Sequence, residues 1–187
     1  MSTVEPTKSK LVIKRNGKTT TRLVPLPTVI VDTREQLPYT FEMYNNWIGS
    51  TLSKSLTTGD YSVLGFEKEI ALERKTLNDI VGSLMDGRSR FLREMERLSS
   101  FRSKCLCIEA TRTDIKSEYT FSRQVRAHPN GIAGALDAIA AKYGIYIHYG
   151  CDRSLSEEFC ASWLSKTYSY SWLEHNGYGR VLQEGDL

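Results

Sequence analysis

The pattern of hydrophobic and polar positions predicts short buried strands separated by amphipathic helices. Brief, mostly apolar runs are typical of strands that are covered on both faces of a sheet. We predict core strands over Thr28–Asp32, Tyr61–Leu64, Glu69–Arg74, Cys105–Ala110 and Ile145–Tyr149. Because the connection between the second and third of these is tight, we predict that they pair as a hairpin.

Apolar residues that recur every three or four positions predict the helices. The first predicted helix begins near Leu77 and ends at Gly87. Three more helices are predicted over Arg88–Arg102, Gly131–Tyr143 and Ser154–Lys166. In the last of them, Leu155, Phe159 and Trp163 form the apolar line and are predicted to face the core. Since strands alternate with helices, the sequence predicts an α/β fold with a central mixed sheet flanked by helices.

A basic leader precedes this core. Residues 1–22 carry six Lys and Arg residues and one acid, a net charge of +5, whereas the other 165 residues have a net charge of −2. A basic segment suits a polyanionic partner, although a solvated tail has the same composition. The dipeptide Asn16-Gly17, between Leu11–Arg15 and Thr19–Val24, favours a two-residue hairpin turn. We therefore divide the chain into a leader (1–27), a core domain (28–173) and a C-terminal tail (174–187).

Composition narrows the class of protein. The 187 residues are 40% hydrophobic and 25% charged, which is ordinary for one globular domain of this length. No apolar run approaches the 18–20 residues or so that a membrane span requires, and the N-terminus lacks the apolar stretch of a secretory signal. We therefore expect an intracellular protein with no membrane partner, in which the four cysteines are free thiols.

The candidate chemistry lies at the ends of predicted strands. Asp32 closes the first strand, Asp60 opens the second, and Glu73 and Lys75 lie on the third. Alternate side chains of a strand share a face, so Glu73 and Lys75 point to one side while Arg74 points away. Carboxylates gathered in this way favour Mg²⁺ or Mn²⁺. Each residue alone also has a simpler explanation, because an Asp at a strand end is often a turn former and a Glu-Arg-Lys string is often a solvated face.

Five segments together resemble the XPF-type structure-selective endonucleases. They are VDTRE (31–35), GDY (59–61), ERKTLND (73–79), SLMDGRSRFLREMERL (83–98) and the later segment from Asn130-Gly131 to Tyr143-Gly144-Ile145. The resemblance covers roughly residues 28–167. It implies a nuclease core of the PD-(D/E)XK, restriction-endonuclease-like class.

The resemblance also implies roles for individual residues. Asp32, Asp60 and Glu73 match metal-binding carboxylates, and Lys75 matches the lysine that positions or polarises the attacking water. Supporting motif positions are occupied by Arg34, Glu35, Arg74 and Asp79. We expect Lys14 and Arg15 of the leader, and Arg88, Arg90 and Arg93 of the second helix, to contact DNA phosphates.

These residues and the resemblance predict a Mg²⁺- or Mn²⁺-dependent endodeoxyribonuclease. Its expected substrate is branched DNA, such as a flap, fork or junction, in repair, recombination or replication. Two alternatives stay open: a non-catalytic DNA-binding partner with the same fold, and a nuclease that is less selective for DNA structure. A homodimer is expected because family cores often pair through their last helices. The location expected is wherever the DNA is, in the cytoplasm or nucleoid of a prokaryotic or virus-infected cell, or in a eukaryotic nucleus.

Overall fold

A computed structural model describes residues 8–15, 17–119 and 127–178. Its strands are β1 (Lys8–Arg15), β2 (Lys18–Pro25), β3 (Thr28–Val31), β4 (Ser50–Ser53), β5 (Tyr61–Val63), β6 (Ile70–Thr76), β7 (Ser103–Glu109) and β8 (Tyr146–Tyr149). Its α-helices are α1 (Leu77–Met85), α2 (Arg88–Ser99), α3 (Arg112–Ile115), α4 (Pro129–Tyr143) and α5 (Arg153–Leu173). A 3₁₀ turn spans Glu42–Tyr44, and a final helical turn spans Glu174–Tyr178.

Six strands form one mixed sheet in the order β4-β3-β5-β6-β7-β8. Strands β6, β7 and β8 run parallel to one another, and β5 runs antiparallel to both of its neighbours. The predicted hairpin of the second and third core strands is therefore confirmed as β5 and β6. In this topology the carboxyl ends of β3 and β6 and the amino end of β5 meet at one edge of the sheet, where the candidate acids lie.

Helices cover both faces of the sheet, as the alternation of strands and helices predicts. On one face, α5 buries Cys160 and Leu164 in a cluster that includes Tyr61 and Leu72 of the sheet. On the other face, α1, α2 and α4 bury side chains against Leu106 and Ile108. Among these are Ile80, Phe91, Met95 and Leu136. The predicted α/β architecture is thus confirmed, with the core divided into two layers by the sheet.

The face that α5 presents to the sheet differs from the prediction. Leu155, predicted to face the core, is 50% exposed, whereas Cys160 and Leu164 are fully buried. Phe159 and Trp163 are only partly buried at the border of the core. The helix covers the sheet with many small residues, among them Ser156, Ala161, Ser165 and Ser169. Because serines are counted as polar, the apolar pattern alone indicated the wrong face.

The leader contains the predicted hairpin. Strands β1 and β2 pair antiparallel, with Lys8 opposite Pro25 and Arg15 opposite Lys18, and form a sheet separate from the main one. Residues 1–7 of the predicted leader, Asn16 of its turn, and residues 179–187 of the predicted tail lie outside the described residues. In the part of the chain that the structure describes, no helix is both long and apolar enough to cross a membrane.

Candidate active site

A turn at Gly59 places Asp60 against the end of β6. Gly59 has a φ of +82°, and a Cβ atom there would lie 3.0 Å from the carbonyl oxygen of Leu72. The position therefore requires glycine on two grounds, backbone conformation and space. The backbone N–H of Asp60 donates to Leu72 O at 2.8 Å, and the backbone N–H of Arg74 donates to Asp60 Oδ2 at 2.8 Å. The Asp60 carboxylate is thus fixed on the backbone of β6.

Glu73 and Lys75 share one face of β6, as strand alternation predicts. The Glu73 side chain is buried, and Lys75 Nζ donates a hydrogen bond to Glu73 Oε1. A further carboxylate approaches from α2, because Glu94 Oε2 lies 3.8 Å from Lys75 Nζ. The ammonium group therefore lies between two carboxylates from different elements.

Burial controls the ionisation of these acids. It raises the pKa of Asp60 to about 6, against the hydrogen bond from the Arg74 backbone and the charge of Lys75. Burial and the nearby charge of Asp60 together raise the pKa of Glu73 to about 8. Burial alone would lower the pKa of Lys75, but the carboxylates of Glu73 and Glu94 outweigh it and raise that pKa. Near neutral pH Lys75 is therefore cationic, and the pair of acids is partly protonated.

Asp32 is held by the loops that follow β3 and β4. Its Oδ1 accepts the backbone N–H and the Nε of Arg34, at 2.8 and 2.7 Å, and its Oδ2 accepts the backbone N–H of Leu56 at 2.6 Å. Burial would raise the pKa of Asp32, but these hydrogen bonds outweigh it and lower the pKa. These contacts make Asp32 a turn former and loop anchor, and its role as a metal ligand stays a prediction.

Asp60 and Glu73 lie close enough for the charge of Asp60 to raise the pKa of Glu73, whereas the described contacts of the Asp32 carboxylate are with Arg34 and Leu56. Among the described residues, no three His, Cys, Asp or Glu side chains form a group that could hold a metal ion. Asp60 and Glu73 nevertheless fit a divalent cation by their chemistry. They are hard oxygen donors whose ionisation is opposed by burial and by their mutual repulsion, and a bound cation would offset both effects.

The supporting motif residues surround a polar cleft of about 530 Å³. Its lining includes Asp60, Lys75, Arg34, Glu35, Asp79 and Arg90. Asp79 lies in the first turn of α1, where the N-cap residue Thr76 accepts the backbone N–H of Asp79 at 3.2 Å through Oγ1 and donates to Asp79 Oδ2 at 2.6 Å. Arg74 also lines the cleft, and its guanidinium, which lies on the opposite face of β6 from Glu73, pairs with Glu109 at 2.8 Å and Glu35 at 3.4 Å.

The candidate phosphate-binding residues lie in two regions. Arg88, Arg90 and Arg93 are exposed on α2, and Arg90 extends to the cleft. Lys14 and Arg15 lie on β1, and their side chains fall outside the described residues. Arg90 is therefore the α2 arginine that the structure places at the cleft beside the candidate acids, whereas Arg88 lines a separate groove against α4.

Two carboxylates near the site were missed by the sequence analysis. Glu94 lies on a helix rich in charged residues, where nothing in its sequence context distinguishes it from a solvated side chain. Glu109 ends the apolar run of β7, and its side chain is 9% exposed. A charged residue at the end of a buried strand beside the strand that carries Glu73 was a signal that could have found it.

The comparisons with known proteins agree with this architecture. The ERCC4 domain matches residues 31–166 of the chain. Among solved structures, XPF from Aeropyrum pernix matches with a TM-score of 0.59 and 24% identity over 75% of this chain, and XPF from Aeropyrum pernix in complex with DNA matches with a TM-score of 0.56 and 24% identity over 76%. The matches span 61% and 64% of those longer chains. No protein of curated function matches the sequence significantly.

Proposed function

The chain belongs to the ERCC4 domain family, with the fold of the XPF nuclease core, and from this premise we propose that it is a metal-dependent DNA endonuclease. One observation carries the proposal: Asp60, Glu73 and Lys75 converge at the edge of the sheet, beside a cleft lined by Arg34 and Arg90. Acids that can hold a cation, an adjacent ammonium and outer guanidinium groups suit the hydrolysis of a phosphodiester.

The proposed mechanism assigns a task to each of these side chains. Asp60 and Glu73 would hold Mg²⁺ or Mn²⁺, which when bound stabilises charge on the phosphoryl oxygens and lowers the pKa of a water. Because the pKa of Lys75 is raised, its ammonium acts as a hydrogen-bond donor that orients the attacking water or a phosphoryl oxygen. Arg34 and Arg90 would bind the phosphates on either side of the scissile bond.

Branched DNA is the substrate that we propose. Arg90 at the cleft and the exposed Arg93, about one turn further along α2, would contact the DNA backbone beyond the scissile bond. The experiment incubates the wild-type chain with labelled 3′-flap, fork, four-way junction, duplex and single-stranded DNA, each with Mg²⁺, Mn²⁺ or EDTA. Metal-dependent cutting near the branch supports the proposal. Equal cutting of every DNA would remove the branch selectivity, and binding without any cutting would favour a non-catalytic DNA-binding partner.

We also propose that a second copy of the chain covers the outer face of α5. Leu155 on this helix and Tyr146 on the edge strand β8 are 50% and 54% exposed. The rings of His148 and Phe159 stack between them with centroids 3.5 Å apart. Aromatic residues on an exposed apolar face are typical of protein interfaces. A two-fold pair of α5 helices would remove this surface from water.

A further inference from the structure

A buried ion pair lies directly behind the candidate active site. Arg74 Nε donates to Glu109 Oε1 at 2.8 Å, and Arg74 Nη2 donates to Glu109 Oε2 at 2.9 Å. The two side chains are 8% and 9% exposed. Two parallel hydrogen bonds fix the orientation of the guanidinium as well as its position. Glu109 therefore sets how Arg74 lies on the end of β6.

The backbone of Arg74 transmits this constraint to the acids. Its N–H donates to Asp60 Oδ2 at 2.8 Å, and Arg74 lies in sequence between Glu73 and Lys75. Any rotation of the strand at Arg74 would move this N–H and turn the side chains on either side of it. The bidentate contact on one face of β6 thus fixes the placement of the acids on the other.

Glu109 is itself held rigidly in its ionised form. Tyr39 Oη donates to Glu109 Oε1 at 2.6 Å, and Arg153 Nη1 lies 3.6 Å from the same oxygen. Burial would raise the pKa of Glu109, but the hydrogen bonds from Arg74 and Tyr39 outweigh it and lower the pKa. The position is also fixed by the sheet, because Glu109 on β7 pairs with Thr76 on β6.

We propose that Glu109 is a positioning residue for the metal centre assigned above to Asp60 and Glu73. The inference rests on the proposed function and deepens it, since Glu109 would act on the cation only through Arg74 and Asp60. A residue of this kind determines metal affinity without touching the metal, and its loss typically costs 10- to 100-fold in metal affinity or activity, as a rough range.

The alternative is that the pair only stabilises the fold. The chain offers a matched control, because Arg112 forms a similar two-point contact with Asp137, with Nη1–Oδ1 and Nη2–Oδ2 distances of 2.8 and 2.7 Å. That pair is largely exposed, and neither residue lines the cleft. Glu109→Gln and Asp137→Asn therefore make the same chemical change beside the site and away from it.

The test measures Mn²⁺ binding by calorimetry and single-turnover DNA cleavage as a function of Mn²⁺ concentration. We expect Glu109→Gln to weaken Mn²⁺ binding and raise the half-saturating Mn²⁺ concentration by about 10-fold or more. DNA binding in EDTA should stay within about twofold of wild type, because Glu109 does not line the cleft. Asp137→Asn should match wild type in every measurement.

Glu109→Asp keeps the experiment decisive if Glu109→Gln does not fold. It retains a buried anion beside Arg74 but shortens the reach of the carboxylate, so we expect a folded protein with an intermediate loss of Mn²⁺ affinity. If every folded Glu109 variant bound Mn²⁺ with wild-type affinity, this inference would be overturned and the proposed function would stand. If the wild-type chain bound no Mn²⁺ and cut no DNA, the proposed function would fall as well.

Discussion

At the residue scale, the ionisation of the candidate site depends on two opposing effects: burial raises the pKa values of two acids, and the charge of one lysine lowers them. Burial raises the pKa of Asp60 to about 6 and of Glu73 to about 8, while Lys75 remains cationic. An acid that retains a proton near neutral pH competes for that proton with any cation at the same oxygens. The site should therefore exchange protons for metal.

The first prediction is that Mn²⁺ affinity rises from pH 6 to pH 8. At pH 6, Asp60 is about half protonated and Glu73 mostly protonated; as the pH rises through the two pKa values, both become better ligands. Titration calorimetry in buffers of different ionisation enthalpy should detect protons released on binding, with less release at pH 8 than at pH 6. Asp60→Asn should flatten the profile. A pH-independent affinity in the wild-type chain would contradict this account of the site.

At the element scale, the position of α5 shows how small residues can cover a sheet. Ser156, Ala161 and Ser165 are buried beside Cys160 and Leu164, so the helix approaches the sheet along a face that hydropathy does not mark. The more apolar residue Leu155 is left half in solvent.

The second prediction compares two leucines of the same helix. Leu164→Ala should reduce the free energy of unfolding by about 2–5 kcal/mol, because it leaves a cavity in the core. Leu155→Ala should cost less than about 1 kcal/mol, because its side chain is already half exposed. Urea denaturation should be performed at a protein concentration where light scattering gives the mass of one chain. Equal losses of unfolding free energy in the two variants would contradict the assignment of Leu164 to the buried face of α5 and Leu155 to the exposed face.

Strands and helices with a clear hydrophobic pattern were predictable from the sequence, and those without such a pattern were not. The apolar runs of β3 and β7 and the periodicity of α1 and α2 indicated both type and place. Strand β4 was missed because all four of its residues, Ser50–Ser53, are exposed. The short α3 was missed because a single turn carries too little periodicity to detect.

The candidate site was predictable only in part, for a related reason. Motif spacing located Asp60, Glu73 and Lys75, because strand alternation and the β5–β6 hairpin bring them together. The partners of Asp32 are the backbone of Arg34 and Leu56, which depend on loop conformation. The position of Glu109 at the end of a buried strand marked the residue, but its contact with Arg74 depends on the pairing of β6 with β7 across 35 residues, which local sequence does not indicate.

At the scale of the whole molecule, the proposed chemistry and the proposed partner surface lie on different parts of the chain. The cleft opens at the ends of β5 and β6, while Leu155 and Tyr146 lie on α5 and β8. Arg153, at the start of α5, donates to the carbonyl oxygens of Leu37 and Pro38 at 3.0 and 2.8 Å. The helix that would pair two copies is thus anchored to the loop that borders the cleft.

The third prediction concerns oligomeric state. At tens of micromolar, light scattering should give twice the mass of one chain for wild type and the mass of a single chain for Leu155→Glu, because a charge would be buried in the pair. Leu23→Glu makes the same change at a leucine of the hairpin that is 58% exposed, and should leave the dimer intact. A single-chain mass for wild type would contradict the proposed pairing of α5 helices.

The most direct test of the central claim compares the cleavage rates of Asp60→Asn and Asp137→Asn on the preferred DNA in Mg²⁺. Asp60→Asn removes a carboxylate charge at the candidate centre with little change in size, whereas Asp137→Asn makes the same change on the surface. We predict that Asp60→Asn slows cleavage by at least about 100-fold, roughly the scale of losing one transition-state contact, with DNA binding retained. Asp137→Asn should cut at the wild-type rate. Cleavage by Asp60→Asn at the wild-type rate would contradict the account.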